Sequence, residues 1–245
     1  MNLNIITWNI CALSKYINLY SNPENRIENI VTKIIKFNPD IICLQEVFST
    51  NIQKYLIEYF EDYNCIHSNN WYLKLNGGLF IASKYEIIFS DELIYKNATG
   101  EDALSCKGIL ICNIIVNNEM ISIFNTHLNA NSIFARSNTC KLIRQKQIEE
   151  LVNFIKKNKS QYNILCCDAN IDMKDDLYIL MVSKLKDLSF NTNHPNLITF
   201  PSANMQLDYC FCSNNLNYKI NIDYDLNLSD HSLINCLITK MPSNQ

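Results

Sequence analysis

The chain has 245 residues, of which 48% are hydrophobic and 18% are charged, and its formal net charge is -3. This much apolar material excludes a disordered chain and is enough for one large domain. The small negative charge provides no basic footprint of the kind that favours a nucleic-acid partner, although a cluster of metal-binding acids would also lower the charge.

The first half of the chain is predicted to combine buried strands with two helices. Apolar residues at helical spacing predict a helix over residues 26–37, and a second helix is expected near residues 51–60. Gly77 and Gly78 are expected to turn the chain into a strand. Short apolar runs predict strands over residues 3–9, 41–45, 79–82 and 87–95.

The second half contains the clearest hairpin and the clearest helix. Asn117 and Asn118 separate two alternating runs, and because Asn tolerates positive φ they predict a hairpin with a two-residue turn. Residues 141–157 are predicted to form an amphipathic helix, and a further helix is expected over 175–185. The predicted strands cover residues 108–116, 119–127, 163–167, 207–213, 217–222 and 232–239.

Strands outnumber helices in this pattern, and several of them come as hairpin pairs. We therefore expect an α+β fold in which two mostly antiparallel β-sheets pack face to face with helices on the outside. The sequence contains no repeat and no linker, so residues 1–241 are expected to form a single domain. The tail over residues 242–245 is expected to fray.

Six apolar runs each end on polar residues that can bind a metal or move a proton. A strand that crosses a core delivers its last side chain to the rim of the sheet, so these strand ends would form one pocket if they lay together. The inventory suits a hydrolytic site built on a hard divalent cation. The residues are Asn9, Glu46, His127, Asp168 with Asn170, Asp208, and Asp230 with His231.

These strand ends also carry a recognisable series of short motifs. In order along the chain they are T-W-N (7–9), L-Q-E-V (44–47), N-T-H-L (125–128), D-A-N (168–170), L-D-Y (207–209) and S-D-H (229–231). The series resembles the endonuclease/exonuclease/phosphatase superfamily, also called DNase I-like, from residue 7 to about residue 238. The resemblance implies a four-layer α/β/β/α sandwich and a metal-dependent phosphoric diester hydrolase.

Further stretches resemble the neutral sphingomyelinases of that superfamily. Residues 77–85 read G-G-L-F-I-A-S-K-Y, residues 107–110 read K-G-I-L, and Arg144 and Gln147 open a helix after the N-T-H-L motif. Tyrosyl-DNA phosphodiesterases, deadenylases and small nucleases share most of these signals. The expected substrate is therefore a phosphodiester, either a lipid head group or a nucleic acid, and the choice stays open at this point.

The predicted cofactor is Mg²⁺, with Mn²⁺ as a substitute. A hard cation prefers oxygen ligands and keeps several waters, so Glu46 is the natural anionic ligand and the Asn9 amide oxygen can support it. The resemblance implies the same pair. Asp230 is predicted to provide a second contact to the metal.

The other predicted site residues act on the water and the phosphate. The resemblance implies that Asp168 orients or activates the water and that Asn170 contacts the phosphate. His231 is the predicted general base, which needs a carboxylate on its other ring nitrogen to fix the tautomer, and the resemblance implies Asp208 in that role. His127 would donate to the phosphate. A binding scaffold without activity is the alternative from another class, and the retention of this whole set argues against it.

Two features leave questions open. Cys167 stands where the superfamily usually has Gly before the Asp of the D-x-N motif, so the close approach of the backbone to the metal or the water could be altered. Peripheral membrane contact is expected of an enzyme that cleaves lipids, yet residues 213–228 contain only Tyr218 and Tyr224 as aromatic residues.

A cytoplasmic protein is expected from the remaining features of the sequence. The eleven cysteines lie mostly inside apolar runs and form no CxxC framework, as in a reducing compartment. The N-terminus does not resemble a signal peptide. No run reaches the roughly 18 apolar residues of a membrane span. The sequence makes no prediction about the oligomeric state.

Overall fold

The computed structural model describes residues 1–12, 23–69 and 73–241, so the predicted frayed tail at 242–245 lies outside the described residues. The helices are α1 (Ile27–Ile35), α2 (Thr50–Tyr59), α3 (Ser137–Asn158) and α4 (Asp176–Asp187). The strands are β1 (Asn2–Asn9), β2 (Ile41–Gln45), β3 (Asn64–His67), β4 (Phe80–Ser83), β5 (Ile87–Ile94), β6 (Gly108–Val116), β7 (Glu119–His127), β8 (Tyr162–Asp168), β9 (Phe190–Asn191), β10 (Asp208–Ser213), β11 (Leu216–Asp223) and β12 (Leu233–Lys240).

The strands form two six-stranded sheets with the same pattern of pairing. The first sheet has the order β11-β12-β1-β2-β4-β3, and the second has the order β5-β6-β7-β8-β10-β9. In the first sheet only β1 and β2 are parallel, and in the second only β7 and β8 are parallel. Each parallel pair is joined through a helix, since α1 lies between β1 and β2 and α3 lies between β7 and β8.

Three apolar layers hold the sandwich together. Residues such as Ile5 and Ile123 face each other between the two sheets. Ile34 belongs to the layer between α1, α2 and the first sheet, and Leu151 belongs to the layer between α3, α4 and the second sheet. Because successive side chains of a strand point to opposite faces, each central strand contributes to two layers. The predicted α+β sandwich with four layers, α/β/β/α, is therefore confirmed.

The local predictions are confirmed except at two sheet edges and at the start of α3. Asn117 and Asn118 adopt φ of 52° and 64°, as expected for the tight β6–β7 turn. The sequence did not predict β3 or β9, which lie at edges of the two sheets and have four and two residues. α3 begins at Ser137, four residues earlier than predicted, because its polar first turn carries little of the apolar pattern that marks the rest.

Two expectations drawn from composition can be compared with this fold. None of the eleven cysteines, all of which the structure describes, forms a disulfide, and the ten other than Cys65 are buried and act as small apolar side chains of the core. None of the helices that the structure describes is long and apolar enough to cross a membrane.

Candidate active site

The predicted site residues meet at one rim of the sandwich. Asn9 and His127 end β1 and β7, and Asp168 ends β8, while Asp208 begins β10, which is antiparallel to β8. His127 pairs with Asp168 in the register of the second sheet, and Asp168 pairs with Asp208, so these three lie side by side. Glu46 follows β2 and the Asp230-His231 pair precedes β12.

A cleft of about 450 Å³ opens at this rim. It is lined by most of the predicted residues, namely Glu46, His127, Asp168, Asn170, Asp230 and His231. Asn9 and Asp208 lie behind this lining and are joined to it by hydrogen bonds to Asp168 and His231. The structure therefore brings all of the predicted residues together in one place.

His231 is held between two carboxylates. Its Nδ1 lies 2.8 Å from Asp208 Oδ2, and its Nε2 lies 3.8 Å from Asp168 Oδ2. Burial lowers the pKa of His231, but Asp208 and Asp168 outweigh it and raise the pKa to about 10. The contact with Asp208 thus orients the ring so that Nε2, and not Nδ1, faces Asp168 and the cleft.

Backbone and side-chain hydrogen bonds hold the segment that carries His231. Trp8 Nε1 donates to the His231 carbonyl oxygen over 2.9 Å, and Ser229 Oγ donates to the Asn9 carbonyl oxygen over 2.7 Å. The buried Arg26 guanidinium donates to the carbonyl oxygens of Leu228 and Cys11. Arg26 could not be singled out from the sequence, since a lone arginine at a helix start is usually an ordinary surface residue.

Asp168 is the central carboxylate of the cleft. Asn9 Nδ2 donates to its Oδ2 over 2.9 Å, and the Asn170 backbone N–H donates to its Oδ1 over 3.0 Å. Burial and the neighbouring Asp208 raise the pKa of Asp168 to about 7. Asn170 has a left-handed φ of 50°, which turns its side chain back toward His127.

Lys107, which the sequence did not single out, lies behind the cleft residue His127. It lies just before β6 and is almost fully buried. Its Nζ is 3.0 Å from His127 Nε2 and 2.8 Å from Asp102 Oδ1. The K-G-I-L stretch contains this lysine, but a lone cation in a sequence usually lies in solvent, so only the fold reveals its position.

His127 is a neutral acceptor in this arrangement. Both Lys107 Nζ and Asn170 Nδ2 lie 3.0 Å from its Nε2. Burial and the Lys107 ammonium lower the pKa of His127 well below its usual range. The donors at this place are therefore Lys107 and Asn170. The predicted role of His127 as a phosphate donor stays a prediction and requires a proton on Nε2.

Glu46 has the features of a ligand for a cation. A left-handed φ of 63° turns the chain directly after β2 and directs the carboxylate into the cleft. Its Oε2 is buried and has no hydrogen-bond partner among the described residues. Burial raises the pKa of Glu46, and Lys107 and the hydrogen bond from Asn9 offset this rise only in part. Because a buried carboxylate oxygen without a partner is costly, a cation at Oε2 fits this position.

The other predicted ligands fit a cation to different degrees. Asp230 is half-buried and lines the same cleft as Glu46. Asn9, however, presents its amide nitrogen to Glu46 Oε1 over 3.0 Å, while its Oδ1 accepts from the Cys11 N–H over 3.0 Å. Ligation through the amide oxygen would require this amide to turn over, so the ligand role of Asn9 stays a prediction.

A second group of atoms could also hold a cation. One ligand atom each of Asp168, Asp208 and His231 lie within 4.8 Å of one another. The short contact between His231 Nδ1 and Asp208 is better explained by a histidine–carboxylate hydrogen bond, and Mg²⁺ prefers oxygen over imidazole. Glu46 Oε2 therefore fits a cation better than this second group does.

Cys167 does not alter the cleft. Its side chain belongs to the layer under α3 and α4, whereas Asp168 next to it lines the cleft. A residue larger than Gly is accommodated there because the cysteine points away from the rim.

A second cavity, of about 890 Å³, is larger than the cleft and lies between the edge strands β3 and β5. None of the predicted site residues lines it.

The layered fold and its polar rim are those of a DNase I-like sandwich. The sequence profile of the Endonuclease/Exonuclease/phosphatase family matches residues 6–231, so the chain belongs to this family.

Curated relatives of the chain include sphingomyelinases. Sphingomyelinase C of Bacillus cereus is 27% identical over 193 residues, which cover 69% of this chain and 57% of that protein. A putative neutral sphingomyelinase of Drosophila melanogaster is 29% identical over 208 residues, which cover 79% of this chain and 46% of that protein. The chain thus spans about half the length of these two relatives.

Solved structures share the fold over almost the whole chain. A mutant of beta toxin from Staphylococcus aureus with bound magnesium ions has a TM-score of 0.80 at 20% identity, and the match covers 96% of this chain and 99% of the other. D. rerio TDP2 complexed with single strand DNA product has a TM-score of 0.73 at 16% identity, with 98% and 99% covered. At these identities the likeness shows the fold.

Proposed function

We propose that the protein is a Mg²⁺-dependent phosphodiesterase that hydrolyses a phosphate ester by in-line attack of water. The observation that carries this proposal is the presence, at one rim, of an imidazole oriented by Asp208 and of a Glu46 carboxylate oxygen that has no hydrogen-bond partner within the described part of the chain. Hydrolysis of a phosphodiester needs a base on one side and compensation of charge on the other. In this cleft His231 would be the base, and a cation bound at Glu46 would compensate the charge.

The residues of the chain divide these tasks. His231 Nε2, directed at the cleft and 3.8 Å from Asp168, takes the proton of the attacking water, which Asp168 orients. Asp208 stabilises the imidazolium that forms. Lys107 and Asn170, both within 3.0 Å of His127 Nε2, donate to the phosphoryl oxygens. When bound, Mg²⁺ would polarise the phosphate and offset the negative charge that holds the pKa of His231 high.

We propose the head group of a phospholipid as the substrate, as in a sphingomyelinase. The sphingomyelinase relatives and the K-G-I-L and G-G-L-F-I-A-S-K-Y stretches support this choice. The net charge of -3 supports it as well, because proteins that bind a nucleic-acid backbone usually contact the phosphates with many Lys and Arg side chains.

The alternative is a nuclease or a nucleic-acid end-processing phosphodiesterase. The fold similarity to a TDP2 structure with a single strand DNA product favours it as the second candidate. The same catalytic residues would serve, because the attack on phosphorus is the same and only the leaving group differs.

A substrate panel separates the candidates. Purified protein is assayed with Mg²⁺ and with EDTA on sphingomyelin vesicles, plasmid DNA, poly(A) RNA, 5′-tyrosyl DNA and inositol phosphates. We expect release of phosphocholine from sphingomyelin that EDTA abolishes. Cleavage of a nucleic acid with no phosphocholine release would overturn the lipid proposal in favour of the alternative. Inactivity on every phosphodiester would overturn both.

A further inference from the structure

The most strongly exposed apolar side chains of the described residues lie in neighbouring loops. The three most exposed large apolar residues of the described chain are Leu73, Ile133 and Phe134, with 93%, 88% and 79% of their surface in solvent. Leu104 has 66% in solvent. We call these four residues the rim patch. Single exposed apolar residues are common, but a cluster of the most exposed ones needs an explanation.

Hydrogen bonds join the loops that carry the rim patch. Leu75 N donates to the Leu104 carbonyl oxygen over 3.0 Å, and Cys106 N donates to the Leu75 carbonyl oxygen over 2.9 Å. The segment that follows Leu73 therefore runs beside Leu104. On the other side, Gly100 packs so closely on Ser132 that an added Cβ would lie 2.2 Å from Ser132 Oγ. The loops over 73–75, 100–104 and 131–134 thus form one surface.

The tip of the 131–134 loop is fixed in a conformation that exposes its apolar residues. The Ser132 side chain and the Ile133 backbone N–H hydrogen-bond the Glu101 carboxylate and lower its pKa. Phe134 N donates to Ser132 Oγ over 2.9 Å. An ordered loop that holds a phenylalanine and an isoleucine in water is arranged in advance for an apolar environment.

The rim patch borders the mouth of the catalytic cleft. Ala130 and Asn131 line the cleft, and Phe134 follows Asn131 by three residues, a reach of at most about 10 Å. Asp102 binds Ala130 N over 2.6 Å through one oxygen and Lys107 Nζ over 2.8 Å through the other. A molecule or surface that binds the rim patch therefore lies next to the opening of the cleft.

We infer that the rim patch inserts into the surface of a phospholipid bilayer and holds the cleft at the level of the head groups. The inference rests on the proposed lipid substrate. The patch consists of side chains that protrude from loop tips, which suits insertion between lipids better than the flat contact of a protein interface. Exposed Lys74 lies next to Leu73, and exposed Arg136 lies near Phe134, where both meet lipid phosphates.

Vesicle binding in EDTA tests the inference without catalysis. Sedimentation with vesicles of phosphatidylcholine and sphingomyelin is measured for the wild type and for Ile133→Ser combined with Phe134→Ser. Each large apolar side chain withdrawn from water contributes to partitioning, so we expect the double variant to bind at least about tenfold more weakly. A second double variant, Leu73→Ser with Leu104→Ser, should show a similar loss.

The matched control is Ile35→Ser combined with Ile115→Ser. These residues are 51% and 46% exposed and lie at the end of α1 and near the β6–β7 turn, at the end of the sandwich opposite the rim. The control should bind vesicles as the wild type does. Wild-type protein that does not sediment with vesicles, or rim-patch variants that bind as well as the control, would overturn the inference.

Two further readings distinguish this inference from the proposed function. All variants should keep wild-type activity on a soluble diester, bis(p-nitrophenyl) phosphate, because none of them alters the cleft. Vesicle binding that persists while sphingomyelin is not hydrolysed would overturn the lipid substrate and leave the docking surface intact. Self-association that is lost in the rim-patch variants, with no vesicle binding, would show that a second copy covers the patch and would overturn the inference.

Discussion

The two sheets of the sandwich repeat one topology, but the histidines that they bring to the rim have different neighbours. In both, a central parallel pair is flanked on each side by two antiparallel strands. The parallel pair of the first sheet leads to Asn9 and Glu46, and that of the second sheet leads to His127 and Asp168. β12 and β6 occupy corresponding places, and they are preceded by His231 in the first sheet and by Lys107 in the second.

The difference shows how one scaffold divides the work of a site. The topology of each sheet sets the position of its histidine at the rim, and the charged groups around the histidine set its protonation state. His231 from the first sheet is surrounded by carboxylates, and its pKa rises to about 10. His127 from the second sheet is buried beside the Lys107 ammonium, and its pKa falls well below the usual range. Two imidazoles in one cleft are thus prepared for different roles.

The largest expected effect comes from removing the imidazole of the first sheet. His231→Ala should lower kcat on the active substrate by roughly 10²–10⁴, since the general base is lost. Asp208→Asn should show a large part of this loss, because the Nδ1 contact of 2.8 Å would no longer favour the required tautomer. His67→Ala, at a histidine outside the cleft, is the control and should be near wild type. A fall of only a few fold in His231→Ala would show that His231 is not the base.

A somewhat smaller effect is expected from removing the cation of the second sheet. Lys107→Met should lower kcat by roughly 10²–10³, as for the loss of one donor to developing charge. The variant should also raise the pKa of His127, measured by NMR titration, because the ammonium 3.0 Å from its Nε2 is gone.

The control for this variant is Lys84→Met, which removes a half-exposed cation paired with Asp40 and leaves the cleft unchanged. Unchanged activity in Lys107→Met, together with an unchanged His127 pKa, would mean that the two sheets do not differ in the way described above.

A third histidine, His194, can be compared with His231 and His127, because no neighbouring carboxylate affects its pKa. His194 is buried, its Nε2 accepts from the Cys210 N–H over 3.3 Å, and burial lowers its pKa to about 4. Between pH 6.5 and pH 4 His194 is protonated in the unfolded chain but stays neutral in the folded protein. The stability contributed by neutral His194 is therefore complete above pH 6.5 and falls by about 3 kcal/mol as the pH drops toward 4.

Urea unfolding of the wild type and of His194→Gln as a function of pH tests this expectation. The variant should lose much of the decline in unfolding free energy between pH 6.5 and 4, while His67→Gln keeps it. Parallel curves for the wild type and for His194→Gln would contradict the assignment. The comparison with His67→Gln separates His194 from the carboxylates that titrate in the same range.

The site residues that could be predicted from the sequence are those that lie at the ends of strands. Asn9, Glu46, His127 and Asp168 could be found because each follows an apolar run, and the topology brings the ends of parallel strands to one rim. β3 was missed because an edge strand of four half-exposed residues lacks the apolar pattern.

The remaining features depend on contacts between distant parts of the chain. Lys107 resembles any surface lysine until Asp102 and His127 are seen around it. The orientation of the Asn9 amide is set by the Cys11 N–H and by two carboxylates more than 30 residues away. The rim patch arises where loops meet, and no periodicity in the sequence indicates such a meeting.

The central claim is that the first sheet holds the cation through Glu46. A crystal soaked in Mn²⁺ as a substitute for Mg²⁺, with anomalous scattering recorded for the wild type and for Glu46→Gln, tests it most directly. We predict an anomalous peak at ligand distance from Glu46 Oε2 that disappears in Glu46→Gln. A peak among Asp168, Asp208 and His231, with none at Glu46, would contradict the claim and assign the cation to the second group.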